Sequence, residues 1–487
     1  MEVFFEIDPT PRLAARNGLR AAPPRRANRG SPLPRGIESA TVRSAGGRQK
    51  TRGAAQSMEF PERAPRRLPI VPLARRNLPL AERARPADDV RPTYAVWEVT
   101  LQCDLVCRHC SSRAGRARPD ELTTREALDL VSALADLGVR EVTLIGGEVY
   151  LREDWLAIVR AIRARGMECT IVTGGRGFTA ERARAARDAG VMSVSISVDG
   201  TRPTHDFLRA KDGSHAAALG AMRSLADAGL PVSANTQIGR HNRRDLEAVF
   251  ETVRDCGAHS WQVQITVAAG RVADEPVLLL EPFHLIEVMP AVARIKARAD
   301  AADLRLWMGN NLGYFGPFEA LLRGDLPGGR RGSCGAGRST IGIESNGAIK
   351  GCPSLPSRAY VGGNVRDQSL SDIWTRAEPL RFTRGDRRHE LWGHCASCYY
   401  ADDCLGGCSW TAHSLFGRRG NNPFCHHRAL DLLRRGRRER VVKVAEAPNE
   451  PFEHGRFELV EEDWPEGELP RARAVAANQE FWLTDLP

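Results

Sequence analysis

Three cysteines fall within eight residues as Cys103-Asp-Leu-Val-Cys107-Arg-His-Cys110, a C-x3-C-x2-C spacing. Three thiolates on so short a loop can grip three irons of a cubane and leave the fourth iron without a protein ligand. An open iron is a place for chemistry, as an open zinc position is. A zinc site fits the same spacing if His109 supplies a fourth ligand. Seven more cysteines follow: Cys334, then Cys352 with Gly347 between them, then Cys395-x2-Cys398-x5-Cys404-x3-Cys408, and last Cys425. A zinc ribbon pairing Cys395/Cys398 with Cys404/Cys408 is the competing reading there. Of the 12 cysteines only Cys169 and Cys256 stand alone, and both read as small core residues. The N-terminus has no apolar segment of the secretory kind, so metal or cluster ligation is the stronger reading and a disulfide framework the weaker.

Such a loop needs a scaffold, and the chain changes character from about Tyr94 to supply one. Short β-branched or apolar runs at Ala95–Thr100, Glu141–Ile145, Cys169–Thr173, Val194–Val198, Val232–Ile238 and Trp261–Ile265 predict strands. Amphipathic stretches between them predict helices. Thr123 with Glu126 forms a capping box ahead of Leu128, Val131 and Leu134, and Gly138 closes that helix. Helical patterns recur over Trp155–Arg165, Ala216–Ala228 and Leu246–Cys256. Six β–α units predict an α/β fold with a parallel sheet and right-handed crossovers. Eight would close a TIM barrel, so six predict an open, partial (β/α)6 TIM-like barrel. In such folds the chemistry sits at the C-terminal strand ends. The second predicted strand ends in Gly146-Gly147-Glu148, where paired glycines permit close backbone approach and a carboxylate can accept from an ammonium.

Charge and composition divide the chain further. The formal net charge is +10, yet residues 1–87 hold 18 Lys and Arg against 7 Asp and Glu, so the remainder is close to neutral. The basic, Pro-rich and Gly-rich stretch 1–88 reads as a disordered leader rather than a nucleic-acid arm, or as sequence preceding a start at Met58. No run of about 18 apolar residues is present, which predicts a cytoplasmic protein without a membrane span. From about Gly328 the chain is rich in Gly, Cys and Arg, and such a stretch needs bound metal to fold. The acidic residues 445–487 read as a tail that packs on the body or stays mobile.

With Gly146-Gly147-Glu148 one β–α unit after C-x3-C-x2-C, the chain resembles the radical S-adenosylmethionine (radical SAM) superfamily. The order and spacing of the later seven cysteines resemble its SPASM extension. The resemblance covers roughly 94–430 and implies a partial barrel at 89–300, a linker at 301–333, a SPASM domain at 334–435 and a tail at 436–487. It implies that Cys103, Cys107 and Cys110 hold a [4Fe–4S] cluster whose open iron chelates S-adenosylmethionine, with Gly146, Gly147 and Glu148 at its methionyl amine. One electron would then cleave the sulfonium and generate a 5′-deoxyadenosyl radical. Thr173, Ser195 and Ser197 match the cofactor contacts at later strand ends. Gly174 departs from the usual Asn, and His109 from the usual aromatic. The resemblance assigns Cys334, Cys352 and Cys408 to a first auxiliary cluster, and Cys395, Cys398, Cys404 and Cys425 to a second. A one-electron donor such as flavodoxin or ferredoxin is implied as partner; the catalytic residue acting on substrate is not. Peptide modification is the leading expectation, and a small molecule or cofactor precursor the alternative. Pro353 after Cys352 argues against sulfatase maturation. A non-catalytic electron carrier is disfavoured because it has no need of Gly146-Gly147-Glu148. The segment around Asn311 and Tyr314 reads either as a substrate-contacting loop or as a packed linker.

Overall fold

A computed structural model describes residues 90–323 and 334–484; the leader expected at 1–88 and residues 324–333 of the expected linker lie outside the described residues. Strands β1 (Tyr94–Thr100), β2 (Glu141–Gly146), β3 (Glu168–Thr173), β4 (Ser193–Ser197), β5 (Val232–Ile238) and β6 (Ser260–Ile265) pair in parallel in that order. Helices α1 (Thr124–Leu137), α2 (Trp155–Ala164), α3 (Ala180–Ala189), α4 (Arg202–Arg209), α5 (Ser214–Asp227) and α6 (Leu246–Asp255) lie between them in the chain. The expected caps are present on α1: Thr123 Oγ1 accepts from Glu126 N–H at 3.3 Å, Glu126 returns the bond to Thr123 N–H at 2.8 Å, and Gly138 ends the helix at φ 94°.

Alternation along the strands separates two faces. One carries apolar side chains such as Trp97, Leu144 and Ile171, all fully buried in the core. The other carries a buried polar ladder, with Tyr94 Oη 2.8 Å from Thr143 Oγ1, Thr143 2.7 Å from Thr170, and Ser193 3.2 Å from Ser233. Glu141 sits in this layer. Burial and the nearby Glu168 carboxylate push its carboxyl up to about 8 from 4.5. A carboxyl raised on folding stabilises below its unfolded value, and that contribution is lost as pH rises through the folded value. The wild-type protein should therefore lose on the order of 4 kcal/mol relative to Glu141→Gln between about pH 4.5 and pH 8. Thermal melts of both proteins at pH 5 and pH 9 measure this; parallel losses would remove Glu141 as the cause.

The sheet is wider than six strands. β7 (Arg305–Met308) extends it in parallel beyond β6, and β8 (Thr340–Ile343) in parallel beyond β1. β9 (Ala348–Lys350) and β10 (Gly363–Asn364) follow antiparallel. These strands have two to four residues each, too few to show a period in sequence. Of these, β8 to β10 continue the cysteine-rich region into the barrel sheet. A buried ion network seals that seam: Lys350 Nζ lies 2.8 Å from Glu344, and Arg118 bridges Glu344 at 3.0 Å and Glu98 at 3.3 Å.

The segment read as a tail holds an antiparallel hairpin, β11 (Arg437–Ala445) with β12 (Arg456–Asp463), and a helix over Glu468–Thr484. Its charges hide it in sequence. Arg437 pairs across the hairpin with Glu461 and Asp463, and Arg438 with Glu462, so strand residues present a charged surface where apolar alternation would be sought. One helical stretch among the described residues, Pro276–Ala301, is long and apolar enough to cross a membrane, and 67% of its apolar window is buried inside the protein.

Candidate active site

The cysteine loop leaves β1 through a register shift between Glu98 and Thr100. Glu121 Oε1 then collects the loop's donors, from Leu101 N–H at 2.8 Å, Arg118 N–H at 3.1 Å and Thr100 Oγ1 at 3.1 Å. At the far end, Cys110 O accepts from Arg271 N–H at 3.0 Å. Cys103, Cys107 and Cys110 thereby line one cleft of about 770 Å³.

Gly146 and Gly147 line the same cleft, and the space they leave is taken by the chain itself. A Cβ on Gly147 would stand 1.8 Å from Gln102 O, and one on Gly146 2.6 Å from Thr100 O. Their bareness lets Glu148 N–H donate to Gln102 O at 2.7 Å, so the second strand end is pressed onto the cysteine loop. The Glu148 side chain is buried and already partnered: Thr173 Oγ1 donates to one carboxylate oxygen and Gly174 N–H to the other at 2.7 Å. Burial outweighs these bonds and pushes Glu148 up to about 7. Gly174 has a local reason, since a Cβ there would lie 2.8 Å from Glu148 Oε1.

Thr173, Ser197 and Gln237 also line the cleft; Ser195, one inward position earlier on β4, does not. The register sets Ser197 beside Asn235 and Gln237 beside Gln264, so polar residues of β4, β5 and β6 share neighbouring strand positions. His109 has both ring nitrogens committed, Nδ1 at 3.1 Å from Leu208 O and Nε2 at 3.1 Å from Asp199. The fourth ligand that a zinc site requires is thereby engaged elsewhere. Asp199 also accepts from Arg209 Nε at 2.9 Å and from Gln237 N–H at 2.9 Å. Burial raises the Asp199 carboxyl, but Arg209 and His109 together outweigh it and hold it well below the usual range. Arg209 lines the cleft with Nη1 3.8 Å from Cys107 Sγ.

A second cavity gathers Cys395, Cys398, Cys404 and Cys425, with Tyr314, His394 and His427 in its wall. Cys408 is not among its walls, contrary to a ribbon of Cys395, Cys398, Cys404 and Cys408. Cys334, Cys352 and Cys408 are buried apart from it. Asn311 clamps the end of β6, donating to Ile265 O at 2.9 Å and accepting from Ile265 N–H at 3.1 Å, while Tyr314 O accepts from His427 N–H at 3.2 Å. Asn311 thus has a packing role, while Tyr314 both holds His427 through its backbone and lines the second cavity.

The donor sets suit iron–sulfur clusters. Burial pushes the Cys107 and Cys395 thiols up to about 11 and also raises Cys103 and Cys425 well above the usual thiol value, with neighbouring thiols adding to the effect. Groups of thiols so placed become thiolates when a cationic centre binds them, and an all-sulfur set selects soft metals.

Comparison with known proteins agrees with this geometry. The model of the radical SAM superfamily matches residues 97–253, and that of an iron–sulfur cluster-binding SPASM domain matches 334–399. The AdoMet-dependent heme synthase of Methanosarcina barkeri is 29% identical over 344 residues, covering 69% of this chain and 97% of that protein. The mycofactocin maturase MftC of Mycobacterium ulcerans is 30% identical over 323 residues, covering 65% and 83%. The crystal structure of Streptococcus suis SuiB bound to S-adenosylmethionine matches with a TM-score of 0.53 at 15% identity, covering 66% of this chain and 74% of that one, and shows the shared fold. The chain belongs to the radical SAM superfamily and carries a SPASM domain. It is an enzyme of that class, with [4Fe–4S] clusters and S-adenosyl-L-methionine as cofactors.

Sequence reading missed Arg209 and Phe452. Arg209 ends the short helix α4 and reaches the cleft only because that helix folds back beside the cysteine loop, where Arg108 N–H donates to Leu208 O at 2.9 Å. Phe452 lies on the hairpin turn and lines the cleft with Pro353; no spacing marks it.

Proposed function

We propose that Cys103, Cys107 and Cys110 hold the S-adenosylmethionine-binding cluster, and that the enzyme modifies a ribosomally made peptide by crosslinking, oxidation or epimerisation. The observation that carries the first part is the single cleft that gathers these three thiols with Gly146, Gly147, Glu148 and Thr173. When bound, the cluster and S-adenosylmethionine supply reductive cleavage and a hydrogen-abstracting radical. The chain's own part is positioning. Glu148, fixed by Thr173 and Gly174, offers a carboxylate at the methionyl amine. Arg209, oriented by Asp199, places a cation beside Cys107. Ser197 and Gln237 offer polar contacts from β4 and β5.

Cys395, Cys398, Cys404 and Cys425 are proposed as ligands of one auxiliary cluster, and Cys334, Cys352 and Cys408 of another. The peptide reading draws support from the maturase among the relatives. A porphyrin-like small molecule is the second reading, favoured by the heme synthase that matches over 97% of its own length. The proposed setting is the cytoplasm, with a flavodoxin or ferredoxin as electron donor. Anaerobic reconstitution should give about twelve irons per chain for three clusters; stoichiometric zinc with little iron would overturn the reading. Reduced enzyme should then form 5′-deoxyadenosine and alter the mass of a short peptide encoded beside its gene. Turnover of an iron porphyrin, with that peptide unchanged, would decide for the second reading.

A further inference from the structure

The cleft has a wall that neither family model covers. The models end at residues 253 and 399, yet Phe452, on the turn between β11 and β12, lines the same cleft as Cys103, Cys107 and Cys110. Phe452 is 4% exposed and has φ 63°. A bulky residue holds that left-handed conformation only where its surroundings impose it, and such residues gather at functional sites.

Four contacts impose it here. Phe452 N–H donates to Ser111 O at 3.0 Å, one residue past Cys110. Glu453 O accepts from Gly270 N–H at 2.8 Å, beside the Arg271 that holds Cys110 O. The buried Glu453 Oε1 accepts from Arg358 N–H at 2.9 Å. The Lys350 ammonium lies 4.0 Å from the centre of the Phe452 ring. The turn is thus fastened to the cysteine loop on one side and to the cysteine-rich domain on the other. The ends of β2 to β5 supply the facing wall through Gly146, Thr173, Ser197 and Gln237.

We propose that Phe452 is a specificity-determining residue: its ring, with Pro353, forms the substrate-side wall of the cleft and keeps solvent and poorly fitting molecules from the reacting centre. This rests on the assignment of the cleft to S-adenosylmethionine. A contact that excludes water suppresses side reactions of whatever is formed inside.

The test uses the reconstituted full chain and the variants Phe452→Ala, Phe452→Leu and Val444→Ala, the last an exposed position on the same hairpin. Pulsed EPR of the reduced protein in D2O, without turnover, reads exchangeable deuterons near the first cluster. Incubation with S-adenosylmethionine, dithionite and perdeuterated glycerol reads deuterium in 5′-deoxyadenosine, with glycerol as the poorly fitting probe. Phe452→Ala should raise both signals at least about threefold, Phe452→Leu less, and Val444→Ala not at all. Phe452→Leu keeps apolar bulk and serves if the alanine variant fails to fold. A ring that merely packs would lower the melting temperature and leave both signals at the wild-type level, and that result overturns the proposal. A wild-type chain without any cluster signal overturns the assignment of the cleft, and this inference with it.

Discussion

Cys107→Ala should abolish 5′-deoxyadenosine formation and remove about four of some twelve irons, the content of one [4Fe–4S] cluster, to be read by product chromatography and iron counting after anaerobic reconstitution. The expectation follows from the number of donors. A cluster held by three thiolates has no spare thiol, and two neighbouring side chains are engaged: His109 faces Leu208 O and Asp199, and Glu148 faces Thr173 and Gly174. Cys107 is also the thiol that Arg209 approaches, so its loss leaves a buried guanidinium with Asp199 as its remaining anion. The control is Cys256→Ser. Cys256 follows α6 and lines neither cysteine site, so its iron content and activity should match the wild type. Full activity in Cys107→Ala would overturn the assignment of the first cluster; iron loss in Cys256→Ser would overturn the reading of that residue as a packing group.

Gly147→Ala is expected to be nearly as damaging by a different route. The new Cβ would stand 1.8 Å from Gln102 O and 2.8 Å from the backbone carbon of Leu101. Backbone on both sides leaves no flexible side chain to move away. The β2 end must shift off the cysteine loop, breaking the Glu148 N–H to Gln102 O bond of 2.7 Å. Overpacking of this kind costs about 1–3 kcal/mol, and the displaced loop no longer presents its thiols to one centre. Expected outcomes are a lower melting temperature, incomplete iron incorporation and loss of S-adenosylmethionine binding by calorimetry. Gly166→Ala is the comparison, because nothing lies within 4 Å of its Cβ; its φ of 76° gives it only local strain. A Gly147→Ala protein as stable as Gly166→Ala would show that the loops are not in register as described.

The six parallel strands were legible because each is a β-branched or apolar run of at least five residues, and four of them are followed by a recognisable helical pattern. Val232–Ile238 has the same bounds in sequence and structure, Val194–Val198 is displaced by one residue to Ser193–Ser197, and the others differ by one residue at one end. The edge strands were not legible. β7 to β10 are too short for a period, and their pairing with β6, β1 and one another depends on chain segments far apart in sequence. The hairpin of β11 and β12 was hidden because its cross-strand partners are ions rather than apolar pairs.

The sequence by itself determined the chemistry of this protein. Thiols at fixed spacing on one loop, a glycine pair one β–α unit later and seven further cysteines in order are local or ordered features, and ligand type and loop length depend on nothing else. Only the tertiary structure decided what surrounds them. It brought Arg209 to Cys107 and carried Phe452 into the cleft past both family domains. Arg209 arrives because α4 folds back beside the cysteine loop, and Phe452 because the hairpin docks there. Contacts made by docking depend on which buried surfaces fit, and that information is spread over the whole chain rather than written in any motif.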